Sequence, residues 1–297
     1  MRRVVIVVVL IVAAGILGMW RSSGGVKQGL SRVVGAREEQ TEAKDEIRKS
    51  FTVEPGTRLE IYGINGGVEV QTSDTKTLEV YVLRTAGSQE DLGRRQVNIE
   101  QTSTAVTIKT HQSHNVWSHL FGNKAKEQVT IKAPRQITLA LKGVNGQVVS
   151  QDIDGSVEVK GINGRVELAA ASDSAELSGI NGNIVVGFRQ LSRGARLSGI
   201  NGNIELRVAG DTNADLNAKG MNGSVRSEIP EIVVDKDDRG SRYSARIGNG
   251  GSPITISGIN GNVRLARLIA VTAASNDTKD VKELKGGKDQ RETKSAK

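Results

Sequence analysis

The feature that most constrains this chain is a tetrapeptide, Gly-[Ile/Val/Met]-Asn-Gly, that occurs seven times. The copies stand at 63–66, 143–146, 161–164, 179–182, 199–202, 220–223 and 258–261. From Gly143 onward successive starts are 18, 18, 20, 21 and 38 residues apart, the last interval being about two units. A degenerate copy, Asp152-Ile153-Asp154-Gly155, lies half a period after Gly143. A fixed period near twenty residues marks a solenoid or an array. Around the copies apolar residues alternate with polar ones, as in Leu59/Ile61, Val68/Val70, Val80/Val82, Val129/Ile131 and Leu139/Leu141. That period of two predicts strands, with no helix of normal length between Phe51 and Leu268.

Asn-Gly between strands fits two structures. It is the strongest short hairpin signal, and it also suits a corner that needs left-handed backbone angles. A hairpin does not require the same residue before the turn each time. Here that position is Val144, Ile162, Ile180, Ile200, Met221 and Ile259, always apolar. Two places after the second glycine stand Val148, Val166, Ile184, Ile204, Val225 and Val263. Uniform columns are what stacked units require, because each side chain packs on its equivalent in the next unit. The expectation is an all-β, single-stranded parallel β-helix or solenoid with rungs of 18–21 residues. Its asparagines, Asn145, Asn163, Asn181, Asn201, Asn222 and Asn260, would form an amide ladder. In sequence order, Glu205 would face Arg226. The stretch from Ser227 to Ser257 would hold one atypical rung, with 235–238 as a protruding loop.

The chain divides by composition. Residues 1–25, with Arg2-Arg3 before an uncharged run from Val4 to Trp20 and then Arg21, read as a signal peptide or transmembrane anchor. Trp20 beside Arg21 suits a membrane interface, and an uncleaved anchor is the preferred reading. Residues 26–50 are charge-rich and read as a polar stalk. Residues 51–268 form the repeat domain, irregular over 51–142 and regular over 143–268. Residues 269–297 read as a disordered charged tail. The location implied is extracytoplasmic: anchored and facing periplasm or exterior, or secreted if the segment is cleaved. The absence of cysteine excludes disulfides, thiolate catalysis and Cys-ligated zinc. Aromatic residues make up 3%, too few for base-stacking platforms, so nucleic acid is not an expected partner.

The Gly-Ile-Asn-Gly columns resemble the bacterial putative adhesin β-repeat families, including the head GIN domain group. The opening Phe51-Thr-Val-Glu-Pro-Gly-Thr, with Leu59-Glu-Ile and Gly66, is similar to the start of such domains. The resemblance covers about 51–268. It implies a right-handed β-helix-like fold outside the cytoplasm and an adhesive or envelope role, and it supplies no catalytic motif. The long interval between Gly63 and Gly143 departs from a regular array.

Chemistry-bearing residues are few. All three histidines lie in one segment, as His111, His114 and His119, with Trp117 and Phe121 between and beside them. Imidazoles so grouped could hold zinc, copper or nickel. Trp117 and Phe121 could anchor a ligand. The plainer reading, preferred, is a connection whose Trp117, Leu120 and Phe121 cover an open end of the core. Glu167 and Glu205 across Val185 could pair as glycosidase carboxylates, but nothing in the sequence announces a groove. A column of Lys142, Lys160, Ser178, Ser198, Lys219 and Ser257, with a net charge of +8, could attract anionic envelope polymers or headgroups. The plainer reading, solubility and edge protection, is preferred. Asp152/Asp154 and Asp235/Asp237/Asp238 lack calcium-loop spacing, and no Gly-Lys-Ser/Thr phosphate loop appears.

The expectation is a non-catalytic protein of adhesion or envelope scaffolding, without cofactor. Its partner would be an anionic envelope polymer, a glycan or a surface protein, with the membrane engaged through residues 4–20. A polysaccharide-acting enzyme and a tethered sensory module are the alternatives.

Overall fold

The computed structural model describes residues 42–112, 125–238 and 240–268. The first part of the chain contains β1 (Ala43–Thr52), β2 (Arg58–Tyr62), β3 (Val68–Ser73), β4 (Thr77–Ala86), the short helix α1 (Gln89–Gly93), β5 (Arg95–Gln101), β6 (Ala105–Gln112) and β7 (Lys126–Pro134). The repeats supply β8 (Thr138–Val144), β9 (Val148–Ser150), β10 (Val157–Asn163), β11 (Val166–Ala171), β12 (Ser174–Asn181), β13 (Ile184–Phe188), β14 (Gly194–Asn201), β15 (Ile204–Val208), β16 (Ala214–Asn222) and β17 (Val225–Ser227). The chain then adds β18 (Val234–Lys236), β19 (Arg242–Ile247), β20 (Ser252–Asn260) and β21 (Val263–Arg267).

The fold is all-β, with two large mixed sheets, neither closed into a barrel. One runs β1-β4-β7-β3-β9-β11-β13-β15-β21-β17, the other β18-β19-β16-β20-β14-β12-β10-β8-β2-β6-β5. Each tetrapeptide joins a strand of the second sheet to a strand of the first. The copies lie in parallel register, so Ile162 pairs with Ile180, Ile180 with Ile200, and Ile200 with Ile259. These isoleucines are buried, as are Val166, Ile184, Ile204 and Val263 across the sheets, and all belong to one core. Burying a Val or Ile contributes roughly 1.5–3 kcal/mol, and repetition of the columns makes that gain continuous along the stack.

Glycine is required at both ends of the corner. Gly179 sits at φ +62° and Gly182 at φ +155°, and a Cβ on Gly182 would lie 2.2 Å from the Gly164 carbonyl oxygen. The backbone of one corner therefore rests directly on the backbone of the next.

Three expectations need correction. First, the units do not stack in sequence order. β20 lies between β14 and β16, and β21 between β15 and β17, so the last tetrapeptide is inserted between its two predecessors. Near-identical corners accept one another in any order, so repetition alone does not fix the sequence of stacking. In the observed order the crossing at 248–251, Gly-Asn-Gly-Gly, lies against the start of β16. There Asn249 donates its backbone N–H to Asn213 Oδ1 at 2.7 Å, and Gly251 to Asp215 Oδ2 at 3.0 Å.

Second, where one atypical rung was expected, 227–257 holds a hairpin: β18 and β19 pair antiparallel, and β19 pairs antiparallel with β16. Asp235 and Lys236 belong to β18 and are not loop residues. Third, the charged stretch expected as stalk ends in a strand. Ala43–Ser50 lies in β1, where half-buried and exposed residues alternate along its antiparallel pairing with β4. Its apolar face holds only Ala43, Ile47 and Phe51, with Ile47 and Phe51 packed on the core. That is too sparse to read as a strand from periodicity alone.

Candidate functional site

The corners carry a continuous row of side-chain amide bonds. Asn145 donates its side-chain amide to Asn65 at 3.0 Å, Asn163 to Asn145 at 3.1 Å, Asn181 to Asn163 at 3.3 Å and Asn201 to Asn181 at 3.1 Å. Asn260 then donates to Asn201 and Asn222 to Asn260, both at 2.9 Å. Asn65, left out of the sequence-based ladder because of its 80-residue distance from Asn145, heads it and donates to the Ala125 carbonyl at 2.8 Å. Beside this row the backbone N–H of Gly164 donates to the Asn181 carbonyl, and that of Gly182 to Asn201, in the opposite sense. Opposed rows of dipoles offset each other, so a long run of aligned amides builds up little net field.

The segment with the histidines lies in sequence between β6 and β7, and Ala125, which precedes β7, accepts from Asn65 at the head of this line. His111 is exposed in β6 opposite Gln96. His114, Trp117, His119 and Phe121 lie outside the described residues. Among the described residues no three His, Asp or Glu side chains group as metal ligands. The base of the segment carries a buried ion pair that sequence reasoning missed. Glu127, 1% exposed, accepts from Arg95 Nε and, at 2.8 Å, from the Asn65 backbone N–H.

On the 10-stranded sheet Glu205 faces Arg264, and Arg226 faces Arg264 from the other side, which corrects the expected Glu205–Arg226 pair. The inserted β21 is the reason. Burial opposes ionisation of Glu205, but hydrogen bonds from Arg207 and Arg264 outweigh it and hold the carboxyl below its ordinary range. A glycosidase acid needs the reverse shift. Glu167 and Glu205 do flank Val185 in register, as the spacing implied.

The outer face of the 11-stranded sheet carries two adjacent columns of side chains. One reads Glu60, Ala140, Glu158, Glu176, Arg196, Thr255 and Asn217. The other reads Tyr62, Lys142, Lys160, Ser178, Ser198, Ser257 and Lys219. Glu158 is the hub of the N-terminal half. It bonds Arg58 at 3.0 Å, Lys142 at 3.1 Å and Lys160 at 2.9 Å. Burial works against its charge, but hydrogen bonds from Lys160, Lys142 and Arg58 prevail and lower its pKa to about 2. Lys142 and Lys160, read from sequence as part of an anion-attracting column, are thus already neutralised. No sequence signal pointed to Glu158, which occupies an ordinary outward strand position.

Three of the acidic candidates for calcium, Asp152, Asp154 and Asp237, have other partners. Asp154 pairs with Arg135 at 3.0 Å, and Asp152 with Arg189. Asp237 accepts the backbone N–H groups of Ser241 and Arg242, both at 3.0 Å, and so staples its own turn. Beyond the ion-paired half, a groove of about 590 Å³ is lined by Asn217, Lys219, Asp235, Arg242, Ser244 and Thr255 among others.

No family model matches this sequence, and no curated protein does. The chain is similar to solved proteins described as putative adhesins. A putative cell adhesion protein from Clostridium sporogenes is 14% identical, with a TM-score of 0.40, over 75% of this chain and 100% of that one. A putative adhesin from Bacteroides fragilis is 11% identical, with a TM-score of 0.29, over 75% and 98%. A putative lipid binding protein from Parabacteroides distasonis is 10% identical, with a TM-score of 0.22, over 75% and 95%. Likeness at this level says nothing of what this chain binds.

Proposed function

We propose that this chain is a non-catalytic, extracytoplasmic β-solenoid that serves adhesion or envelope scaffolding, tethered or exported through residues 4–20. The observation that carries the reading is the parallel register of seven Gly-x-Asn-Gly corners, linked by one run of side-chain amide bonds from Asn222 to Asn65. Each corner turns the chain from one sheet to the other, so each repeat is one coil and the two sheets are two faces of the stack. A stack of this kind is rigid along its length and offers long polar faces, the geometry of a spacer or a contact surface. Its half-buried, outward-facing carboxylates support the same reading. Glu158 and Glu205 are committed to cations and stay charged, which suits surface structure better than acid–base work.

The test is binding of the full chain to a panel of envelope glycans and anionic lipid vesicles at several salt concentrations. Retained, saturable binding without change to the polymer is expected. Chain-dependent cleavage of any glycan would contradict the reading.

A further inference from the structure

On the 11-stranded sheet's outer face the cations around Glu158 are matched, whereas two neighbours beside the groove, Lys219 and Arg242, are not. In the N-terminal half Arg58, Lys142 and Lys160 all pair with glutamates. In the C-terminal half Lys219 and Arg242 stand directly opposite each other on β16 and β19, both exposed. Neither these two side chains nor Arg196 has an ion pair among the described residues. Like charges directly opposite on paired strands destabilise a sheet, so the fold carries an unfavourable contact that an anion would relieve. Lys236 also lines the groove, its ammonium 5.7 Å from the centre of the Tyr243 ring; along the strip lie hydroxyls and amides, Ser257 beside Lys219, then Ser198, with Thr255 and Asn217 in the neighbouring column. Asp237 is occupied by its own turn, and Asp235 stands at the outer wall.

We propose that this groove binds an acidic polysaccharide, its carboxylate or sulfate groups on Lys219 and Arg242 and its sugar hydroxyls on Ser244, Thr255 and Asn217. The proposal rests on the adhesion reading above and gives it a site and a ligand class. The strip from β12 to β19 crosses five strands, about 19 Å at the usual strand spacing, so an extended chain can lie across it. A polymer is favoured over a free anion because the groove's acids partly offset its cations, and repeated weak contacts gain from linkage. A lipid surface is disfavoured, because the one exposed large hydrophobic among the described residues is Val233, which is not among the groove's lining residues.

The experiment measures binding of the full chain to polygalacturonate, to neutral dextran and to phosphatidylglycerol vesicles. Wild type should bind polygalacturonate in preference to both others. The double variant Lys219→Ser/Arg242→Ser should weaken that binding about tenfold or more, and Lys142→Ser/Lys160→Ser by less than about twofold. The first variant should also melt slightly higher than wild type, because the like-charge contact is gone. Equal losses in both variants, a preference for vesicles, or no polygalacturonate binding by wild type would overturn the groove. Binding to other glycans unaffected by Lys219→Ser/Arg242→Ser would overturn the groove and leave the adhesion reading standing.

Discussion

The middle of the stack and its N-terminal end solve the same problem by different means. In the middle, from β8 to β15, the strands are parallel, the buried columns are aliphatic apart from Phe188 and Ser150, and the charged groups lie outside the core. At the N-terminal end β1, β4 and β5 pair antiparallel, and charge goes inside. Arg84 is buried there, bonded to Asp45 at 2.7 Å and to the Leu92 and Arg95 carbonyls, while Glu127 holds Arg95. Equivalent units find their register through repetition. A terminal unit has no equivalent neighbour, and its arrangement is set by directional bonds that only one docking satisfies.

The largest effect expected is in the middle. Ile200→Asp places a carboxylate where the side chain is 1% exposed, with no partner in the column. It should cost about 4–5 kcal/mol or more, and thermal melting should lose its cooperative transition; an unchanged melt would remove Ile200 from the core. Next comes the end. Arg95→Met strands the buried Glu127 carboxylate and should cost about 3 kcal/mol in urea unfolding. Adding Glu127→Gln should recover part of that loss, whereas a loss that is not recovered would mean Arg95 acts by packing and not by charge.

Backbone contact separates the two regions more finely. Gly182→Ala drives a Cβ into the Gly164 carbonyl and should cost roughly 2–3 kcal/mol. Gly93→Ala in α1 meets nothing within 4 Å and should be neutral or gain about 0.5 kcal/mol. Similar melting temperatures for the two variants would contradict corner-on-corner stacking. The smallest effect is in acid. The Glu158 carboxyl is depressed from 4.5 to about 2, so its stabilisation is full above pH 4.5 and disappears as pH falls through about 2. Glu60, Asp173 and Glu205 shift in the same direction. Glu158→Gln should melt lower than wild type at pH 7 and show a shallower decline between pH 4.5 and 2.

The tetrapeptide made the corners, the parallel pairing within the regular array and the buried columns legible in advance, because each depends on one residue recurring at one position. Stacking order was not legible. Gly248-Asn249-Gly250-Gly251 reads as a turn, and only the structure shows it lying against the start of β16. β1 was hidden for the opposite reason, since Glu46, Arg48 and Lys44 on its exposed face outweigh Ile47 and Phe51 in any compositional window. The polar network around Glu158 was equally silent. It joins residues from β2, β8 and β10 whose neighbouring columns become visible only once the register is known.

The inserted last repeat is the sharpest claim, and a chain without cysteine allows it to be measured by cross-linking. Adjacent strands place facing Cα atoms within disulfide range, and strands two apart do not. Oxidation of the Glu205→Cys/Arg264→Cys variant should close a bond in the folded chain, and the Glu205→Cys/Arg226→Cys variant should stay reduced. The reverse pattern, with Glu205→Cys/Arg226→Cys bridged and Glu205→Cys/Arg264→Cys free, would mean that the repeats follow their sequence order.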